Sequence, residues 1–471
     1  MRKTKIICTI GPSCDNKETL KKMYEAGMDT ARLNFSHGSY LEQQAKIDLL
    51  KEIRDELNIP LSIMLDTKGP EYRIGFFKNN SIELNDGDTF ILTSDDIIGD
   101  ETKVSVSYPE LISQLEVGET ILINDGLVNL QVEKIEGSCA ICKVIIGGKL
   151  LNRKSMCFPG KVLDHEFLSQ QDKDDLLFGI KNDVDFVAAS FVSTADNAKE
   201  IRDFLNNNGG EKISLIAKIE NASGVENVDE ILNYVDGIMV ARGDLGVEIP
   251  FKEVPAVQKE LINKCRIKGR RVITATEMLE SMIEKPRPTR AEVSDVANAV
   301  YDGSSAIMLS GETANGKYPV ESIKAMAEIA EYTESQIHYN KRFKNTEFQI
   351  QNTIDAISHS TCAMAIDVDA KAIVVNSISG QTARMVSRFR CPAPIIGTTT
   401  DKKIWRQLSL SWGVTPVLNH YYDSQDLMFK EGLESAIKLF NLKPGDKVVL
   451  TGGKNNSEPG STNTVRIETV K

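Results

Sequence analysis

The feature that most constrains the fold is a series of eight short apolar runs, each followed by polar residues or glycine. Most of them begin 22 to 35 residues apart, and the segments between them carry apolar residues at helical spacing. Continuous apolar strands that alternate with helices indicate a parallel sheet. Eight such units predict an α/β fold of the (β/α)8 TIM barrel type, although an open doubly wound sheet would give a similar pattern. The runs are Lys5–Cys8, Thr30–Phe35, Leu61–Leu65, Asp185–Phe191, Leu215–Ile219, Gly237–Val240, Arg271–Ala275 and Ala306–Leu309.

One interval in this series is too long for a single unit. From Leu61 to Asp185 the chain runs 124 residues, about 90 more than one strand and one helix need. The excess, residues 69–161, has short alternating segments and turn dipeptides such as Asp86-Gly87 and Asp125-Gly126. We therefore expect an inserted small β-barrel domain that covers the mouth of the larger barrel as a lid.

The pattern restarts after about residue 339. Residues 340–348 are charged and polar and suggest a linker, and the chain beyond them has helix-like and strand-like segments of a separate α/β domain. The predicted domains are the barrel over residues 1–68 and 162–339, the lid over 69–161, and a C-terminal α/β domain over 340–471.

Composition excludes several classes of protein. The chain has 56 Lys and Arg against 67 Asp and Glu, a net charge of −11, and no basic tract, which argues against nucleic-acid and membrane binders. It has no run of 18 apolar residues and no signal-peptide core at its N-terminus. Eight cysteines in 471 residues are too sparse for a disulfide scaffold, so we expect reduced thiols in a cytoplasmic protein.

Charged residues collect where the predicted strands end, which is where the chemistry of such barrels lies. Lys218 and Glu220 are two apart on one strand and project from the same face. Alone, they would more often form an internal salt bridge. With Asp244 after the next strand, two carboxylates beside a lysine suit a hard divalent cation such as Mg²⁺. Asp244 could also merely cap a turn, and Thr276 could be a helix N-cap.

Two arginines are candidate phosphate clamps: Arg32 near the end of the second run, and Arg73 at the root of the insertion. Each could equally be an ordinary salt-bridge residue, and Asp66 is ambiguous by itself. Of five histidines, only His37 lies near a predicted site. These residues favour metal- and lysine-centred phosphoryl or enolate chemistry over Ser-His-Asp hydrolysis.

Several long motifs in this order resemble the pyruvate kinase family. The resemblance implies a (β/α)8 barrel, an inserted β-domain over the active site and a C-terminal α/β domain. It also implies phosphoryl transfer from phosphoenolpyruvate to ADP, the final step of glycolysis, by a homotetramer. The motifs include TIGPS at 9–13, LDTKGPEYR at 65–73, MVARGDLGVE at 239–248, ATEMLESM at 275–282, KPRPTRAEVSDVANAV at 285–300 and MLSGETA at 308–314.

The resemblance also implies roles for individual residues. Lys218 and Arg32 would stabilise the transferring phosphoryl group, and Thr276 is linked to protonation of the enolpyruvate through water. The wider set comprises Glu220 and Asp244 for Mg²⁺ or Mn²⁺; Asn34, Ser36, Asp66 and Thr67 for K⁺; Gly243, Asp244, Thr276 and Ser190 for substrate; and Arg73, His37, Asn34 and Lys154 for nucleotide. Glu71 marks the family members that resemble potassium-dependent enzymes, so we expect a requirement for K⁺.

In the C-terminal domain, the resemblance points to a phosphate-binding effector loop containing Ser377, Ser379, Gly380 and Thr382. An ordinary helix cap is the alternative. The region near Asp426 lacks the arginine that relatives responsive to fructose-1,6-bisphosphate use, and residues 452–464 carry little positive charge. We therefore expect a phosphorylated allosteric effector with one main phosphate contact, such as a sugar monophosphate or AMP.

Two other functions stay open at this point. Metal-dependent aldolases and lyases acting on pyruvate-like substrates also use carboxylates at a barrel mouth, but they need neither the nucleotide arginines nor a long lid. A non-catalytic regulatory paralogue would be expected to have lost Lys218, Glu220, Asp244 or Thr276, and all four are present.

Overall fold

The structure is a computed structural model that describes residues 1–161, 163–164, 166–422, 424–453 and 462–471. The chain opens with strands that are buried along almost their whole length and helices with defined caps. Asn16 accepts a hydrogen bond from the Thr19 amide at the start of the first helix, and Ser39 and Glu42 form a capping box at the second. These elements are β1 (Lys5–Thr9), α1 (Lys17–Ala26), β2 (Thr30–Asn34), α2 (Tyr40–Leu57) and β3 (Ser62–Asp66).

The next segment is a β-structure with its own hydrophobic core, centred on residues such as Phe90 and Leu130. Its elements are β4 (Tyr72–Arg73), β5 (Ser81–Leu84), β6 (Thr89–Thr93), β7 (Lys103–Ser105), α3 (Leu111–Gln114), β8 (Thr120–Ile123), β9 (Val128–Glu136), β10 (Cys139–Ile146), β11 (Gly148–Leu151) and β12 (Ser155–Cys157). Seven strands pair in the order β4-β12-β8-β9-β10-β6-β7, and β5 pairs with β11. A bridge between Ile74 and Val106 joins the two ends of the seven-stranded order, so the sheet curls back on itself.

The chain then returns to alternating strands and helices. These are α4 (Gln170–Lys181), β13 (Phe186–Ala189), α5 (Ala195–Asn207), β14 (Ser214–Ile219), α6 (Ala222–Glu226), α7 (Val228–Ile231), β15 (Gly237–Ala241), α8 (Arg242–Glu248), α9 (Val254–Lys268), β16 (Arg271–Ala275), a 3-10 turn (Glu280–Ile283), α10 (Arg290–Asp302), β17 (Ala306–Leu309), α11 (Gly311–Ala314) and α12 (Pro319–Gln336). Eight parallel strands close in the order β1-β17-β16-β15-β14-β13-β3-β2. The predicted TIM barrel is confirmed, and the open doubly wound sheet is excluded.

The last part of the chain is an α/β unit around a five-stranded sheet in the order β20-β19-β18-β21-β22. The final strand is antiparallel to its neighbour and was not anticipated from the sequence. Helices pack on both faces over two apolar clusters. The elements are α13 (Tyr339–Asn345), α14 (Thr353–Asp367), β18 (Ala372–Asn376), α15 (Gln381–Arg388), β19 (Ile395–Thr399), α16 (Lys402–Leu408), β20 (Val414–Leu418), α17 (Gln425–Phe440), β21 (Lys447–Gly453) and β22 (Thr462–Thr469).

Much of the predicted linker over residues 340–348 is helical, because it forms α13. Two aromatic residues within the charged stretch hold it against the C-terminal core. The Phe343 and Phe348 rings lie 6.2 and 4.6 Å from the ring of Phe389. The packing of these aromatic rings therefore orders a segment whose charged residues had suggested a solvent-exposed linker.

The C-terminal unit closes the amino-terminal end of the barrel. Leu410, just after α16, belongs to the same buried cluster as Ile7 and Phe186 inside the barrel. Beside it, Arg406 Nε donates to Asp185 Oδ1 at 2.6 Å. The opposite, carboxyl-terminal end of the strands is left for the site described below. Among the described residues, no helix is long and apolar enough to cross a membrane.

Candidate active site

A buried lysine links three polar side chains at the carboxyl end of the barrel. Lys218 Nζ lies 2.9 Å from Glu220 Oε1 and 3.2 Å from Asp66 Oδ1, and it donates to Ser190 Oγ at 2.7 Å. Lys218 is 9% exposed to solvent, and Glu220 is 1% exposed. The predicted same-face projection of Lys218 and Glu220 is therefore present, and Asp66 joins them from β3, across β13.

The charges in this cluster are unevenly balanced. Burial disfavours the Lys218 ammonium, but the carboxylates of Asp66 and Glu220 outweigh it and raise the lysine pKa. Burial raises the pKa of Glu220 to about 7, with Lys218 opposing and Asp244 adding to the rise. The Asp66 carboxyl has a lowered pKa, because Arg32 and Lys218 together outweigh the effect of burial. Glu220 is thus a carboxylate whose negative charge a further cation would stabilise.

Arg32 is held in place from both sides. Its Nε donates to Asp66 Oδ2 at 2.6 Å and its Nη1 donates to Thr9 Oγ1 at 2.9 Å. Since Asp66 also contacts Lys218, one carboxylate positions two cations side by side. Two fixed positive groups at a barrel mouth are suited to binding an oxyanion.

The turn after β13 closes this cluster. The Ser190 hydroxyl donates to the Thr67 carbonyl at 2.7 Å, and the Phe191 amide donates to Glu220 Oε2 at 2.5 Å. Phe191 has a φ of 57°, a left-handed conformation that is unfavourable for a bulky residue. In this conformation its amide donates to Glu220, so the strained residue is one that holds the carboxylate.

A second strained turn follows β16. Thr276 and Glu277 have φ values of 66° and 53°. The Gly243 amide donates to Thr276 Oγ1 at 2.8 Å, and that hydroxyl donates to the Ala275 carbonyl at 2.6 Å. Thr276 is thus not a helix N-cap; it binds the start of α8 to the end of β16.

Arg242 maintains this turn, and sequence reasoning missed it. Its Nη2 donates to the carbonyls of Thr276 and Glu277 at 2.7 and 3.2 Å, and its Nη1 contacts Asp295 Oδ1 at 2.7 Å. Arg242 stands in the MVARGDLGVE motif, but nothing in the sequence places it beside a turn more than 30 residues away.

Asp244 lies in the first turn of α8, where the sequence had suggested a simple turn. Its side chain is exposed, and among the described residues it has no hydrogen bond or ion pair. It is nevertheless close enough to raise the pKa of Glu220. Two converging carboxylates, one of them without a partner, fit a divalent cation that completes its shell with water or substrate oxygens.

The four expected potassium ligands lie at the ends of β2 and β3. Asn34 and Asp66 are paired across these strands, Asn34 Oδ1 accepts from the Ser36 amide at 3.0 Å, and Thr67 follows Asp66 directly. All four offer oxygen atoms, the donor type that hard cations prefer. The arrangement fits a monovalent cation.

The expected nucleotide residues are more dispersed. Arg73 lies in β4, forms an ion pair with Glu71 and donates to the Arg153 carbonyl at 2.6 Å. Lys154 lies near Arg73 in the inserted β-structure. The Lys154 carbonyl accepts a hydrogen bond at 3.0 Å from the amide of Ile74, the residue after Arg73. His37 is exposed on the loop after β2. Among the described contacts, none joins Arg73 to Arg32.

A cavity of about 310 Å³ separates the inserted β-structure from the barrel mouth, with Glu71 and Lys161 on one side and Asn221 and Asp244 on the other. Glu248 of α8 also lines it, together with Cys157 and Phe158 of the inserted β-structure. The cavity is thus bounded by two parts of the chain that meet at few points.

The predicted effector loop precedes α15. Gly380 caps this helix with a φ of 70°, and a Cβ atom there would lie 3.0 Å from Ile404 Cγ2. Ser377 lines a small cavity with Thr398 and Asn419. Thr382 is buried, and its hydroxyl is hydrogen-bonded to that of Thr462 at 2.7 Å. Most of the stretch with little positive charge, residues 454–461, lies outside the described residues.

Comparison with known proteins agrees with this architecture over nearly the whole chain. Residues 1–323 match the family model described as pyruvate kinase, barrel domain, and residues 355–468 match pyruvate kinase, alpha/beta domain. A protein named pyruvate kinase from Clostridium acetobutylicum is 45% identical over 473 residues, covering 100% of both chains. Pyruvate kinases of Bacillus licheniformis and Geobacillus stearothermophilus are 46% and 44% identical over 100% of this chain, which spans 81% and 80% of theirs.

Proposed function

The chain belongs to the pyruvate kinase family, and we propose that the cluster around Lys218 performs its reaction, phosphoryl transfer from phosphoenolpyruvate to ADP to give pyruvate and ATP. The observation that carries the proposal is the buried Lys218 ammonium, held between Glu220 and Asp66 at 2.9 and 3.2 Å. Membership of this family excludes the two other functions considered from the sequence, a metal-dependent aldolase or lyase and a non-catalytic regulatory protein.

Phosphoryl transfer requires positioning and charge neutralisation more than a strong base. Lys218 and Arg32 would contact the oxygens of the transferring group, since Asp66 holds both cations at the barrel mouth. Their orientation is fixed before substrate binds, so little reorganisation accompanies the reaction. Ser190, which accepts from Lys218 at 2.7 Å, would keep the ammonium aimed at this position.

The substrate carboxylate would bind at the start of α8. The Gly243 and Asp244 amides lie in the first turn of this helix, and helix N-termini favour anions. Thr276 borders the same turn through its 2.8 Å bond from the Gly243 amide. Its hydroxyl would guide a proton through water to the enolpyruvate carbon.

Pyruvate kinases are metal-dependent, and the donor sets here fit two cations. Glu220 and Asp244 would hold Mg²⁺ or Mn²⁺, and Asn34, Ser36, Asp66 and Thr67 would hold K⁺. When bound, these ions supply positive charge that offsets the phosphate oxygens. Glu71 beside Arg73 supports the requirement for K⁺, since no lysine stands at that position to replace the ion.

We assign the segment 69–161 to a lid, with residues 1–68 and 162–339 as the catalytic barrel and 340–471 as the effector domain. Arg73, Lys154, His37 and Asn34 would meet the nucleotide when the lid closes across the 310 Å³ cavity. Closure would exclude water from the phosphoryl group.

We also propose regulation by a phosphorylated effector at Ser377, Ser379, Gly380 and Thr382, action in glycolysis in the cytoplasm, and a homotetramer. All eight cysteines are free, which fits a reducing compartment. Neither nucleic acid nor membrane is expected as a partner.

The decisive experiment is pyruvate formation from phosphoenolpyruvate and ADP with Mg²⁺, with and without K⁺. We expect activity that requires both ions and is lost on replacement of Lys218. Absence of pyruvate formation under every ionic condition would overturn the proposal. Light scattering after gel filtration tests the tetramer, and a monomer at assay concentration would contradict it.

A further inference from the structure

Thr9 is a buried threonine at the carboxyl end of the barrel, and sequence reasoning assigned it no role. It is the last residue of β1. In the sheet it is paired with Arg32 of β2, and the preceding Cys8 is paired with Leu309 of β17. Thr9 is 5% exposed and Arg32 is 8% exposed. Thr9 thus lies between the strands that carry Arg32 and Leu309.

The hydrogen bonds of the Thr9 hydroxyl run in one direction. A guanidinium group can only donate, whereas a hydroxyl has one proton to donate and two lone pairs that accept. Arg32 Nη1 donates to Thr9 Oγ1 at 2.9 Å, and Thr9 Oγ1 donates its own proton to the Leu309 carbonyl at 3.0 Å. Because the Leu309 carbonyl engages the proton, the hydroxyl oxygen presents a lone pair to Arg32.

The main chain at Thr9 is also fixed. The Thr313 hydroxyl of α11 donates to the Thr9 carbonyl at 2.9 Å, and Thr313 is fully buried. Two residues after Thr9, a Cβ atom on Gly11 would lie 2.6 Å from the carbonyl oxygen of Ala314. The end of β1 is therefore packed closely against α11, and the hydroxyl that holds Arg32 belongs to a rigid part of the barrel.

Thr9 provides the second of two contacts that fix the Arg32 guanidinium. The first is the hydrogen bond of 2.6 Å from Arg32 Nε to Asp66 Oδ2. A bond at Nε alone would leave the plane of the guanidinium free to turn, and the bond from Nη1 to Thr9 removes this freedom. Arg32 Nη2 has no hydrogen-bond or ion-pair partner among the residues that the structure describes. The Nη2 side is therefore left for an oxyanion, which a planar guanidinium binds with two parallel N–H groups.

Another buried threonine shows what a hydroxyl of this kind does away from the site. Thr30 is the first residue of β2, on the strand that carries Arg32. It is fully buried, and its Oγ1 lies 2.8 Å from Ser62 Oγ of β3. The Thr30 hydroxyl also joins neighbouring strands, but it does so at the amino end of the barrel and its partner is uncharged. Thr9 differs because its hydroxyl accepts from a cation of the proposed site.

We propose that Thr9 is a positioning residue for phosphoryl transfer, because its hydroxyl sets the plane in which the Arg32 guanidinium meets the phosphate oxygens. This inference rests on the function proposed above for the site. Thr9 itself does not contact the substrate, and its effect passes through Arg32. A donor that is oriented before the substrate binds needs no reorganisation during the reaction. A misplacement of about 1 Å can slow a reaction by about 10²-fold, so loss of the Thr9 contact should lower the rate measurably.

Steady-state pyruvate formation by the full chain tests the proposal with Thr9→Val, which removes the hydroxyl but keeps the branched shape. We expect kcat/KM for phosphoenolpyruvate to fall by about 10- to 100-fold. Thr9→Ser keeps the hydroxyl and should stay within about threefold of the unmodified chain. Thr30→Val is the matched control, since it removes a buried threonine hydroxyl at the other end of the barrel, and it should also stay within about threefold. Unchanged kcat/KM in Thr9→Val, or an equal loss in Thr30→Val, would overturn the proposal.

A double-mutant cycle shows whether Thr9 acts through Arg32. In Arg32→Lys the side chain keeps its charge but has no planar group for Thr9 to orient. We therefore expect Thr9→Val to lower kcat/KM by less than about twofold in the Arg32→Lys background. An equal loss in both backgrounds would contradict the proposal, because a general effect on the fold does not depend on the side chain at position 32.

A further variant covers the case in which Thr9→Val fails to fold, as judged by circular dichroism. Thr9→Ala removes the hydroxyl without placing a methyl group against the Arg32 guanidinium, and the same loss of kcat/KM is expected. Full activity of Thr9→Ala would rule out the role of Thr9. Absence of pyruvate formation by the unmodified chain would instead overturn the proposed function, and this inference with it. An active unmodified chain with equally active Thr9 variants overturns the inference alone.

Discussion

The Lys218 ammonium lies 2.9 Å from the carboxylate of Glu220, the residue that follows the end of barrel strand β14. Both groups are buried, so each depends on the other and on Asp66 to stabilise its charge. This ion pair stabilises the site and provides its positively charged centre.

Replacing Lys218 by Met should abolish catalysis and weaken the fold. We expect kcat to fall by about 10³ or more, as for loss of a preorganised charge. The free energy of unfolding should fall by about 3–5 kcal/mol, because two buried carboxylates lose their partner. Steady-state kinetics and urea unfolding measure the two effects. Lys212→Met, at an exposed lysine, is the control, and a Lys218→Met enzyme with a tenth of normal kcat would contradict the assignment.

Replacing Glu71 by Lys should reduce the dependence on potassium. The resemblance to family members with lysine at this position implies that the new ammonium would supply the charge otherwise provided by K⁺. We expect activation by K⁺ to fall by about tenfold relative to the unmodified enzyme, since the cation is now built in. Rates are compared with and without K⁺ at constant ionic strength. Glu83→Lys, an exposed site in β5, controls for the added charge, and unchanged K⁺ activation in Glu71→Lys would refute the role of Glu71.

Replacing Arg242 by Gln should disturb the turn at Thr276. Its guanidinium holds the carbonyls of Thr276 and Glu277, whose left-handed conformations cost about 1–3 kcal/mol each. We expect KM for phosphoenolpyruvate to rise and kcat to fall by about 10²-fold, with KM for ADP little changed. A purely structural role would alter both KM values alike. Arg290→Gln is the control for loss of an exposed arginine.

Replacing Asp236 by Asn should destabilise the junction between the barrel and the C-terminal unit in a pH-dependent way. Burial raises the pKa of Asp236, but Arg202 and Arg384 outweigh it and hold the pKa below its usual value. A carboxyl of this kind stabilises the fold above its unfolded pKa of about 3.9, and the contribution is lost as pH falls through the lower folded value.

The expected difference between Asp236→Asn and the unmodified chain is therefore about 1–3 kcal/mol at pH 7, shrinking below pH 4. Urea midpoints between pH 7 and pH 3 measure it. Asp229→Asn, at a side chain that is 56% exposed, should show little effect at any pH. A difference for Asp236→Asn that grows on acidification would contradict this account.

Much of the barrel could be predicted because each buried strand is a continuous apolar run. The same-face placement of Lys218 and Glu220 follows from strand geometry alone. Arg242 could not be predicted, since its partners lie more than 30 residues away and are backbone carbonyls with no sequence signal. The segment around Phe348 was misleading in the sequence, because its polar residues suggested exposure to solvent. Only the contact between Phe348 and Phe389 shows that the segment is packed.

The grouping of arginines at the junction of the barrel and the C-terminal unit could not be predicted either. Arg271 and Arg390 are 119 positions apart, in two separate stretches that are each rich in basic residues. They meet only because the C-terminal unit seals the barrel at Leu410. A net charge of −11 conceals such a local excess of positive charge.

Helix α15 has only eight residues, a length of about 12 Å. Its first turn adjoins the Ser377–Gly380 loop, and its last residue, Arg388, donates to the Ile267 carbonyl of the barrel at 2.9 Å. Two turns of helix thus connect the proposed effector loop directly to the barrel, so a ligand held at the loop would act on the junction between the two units.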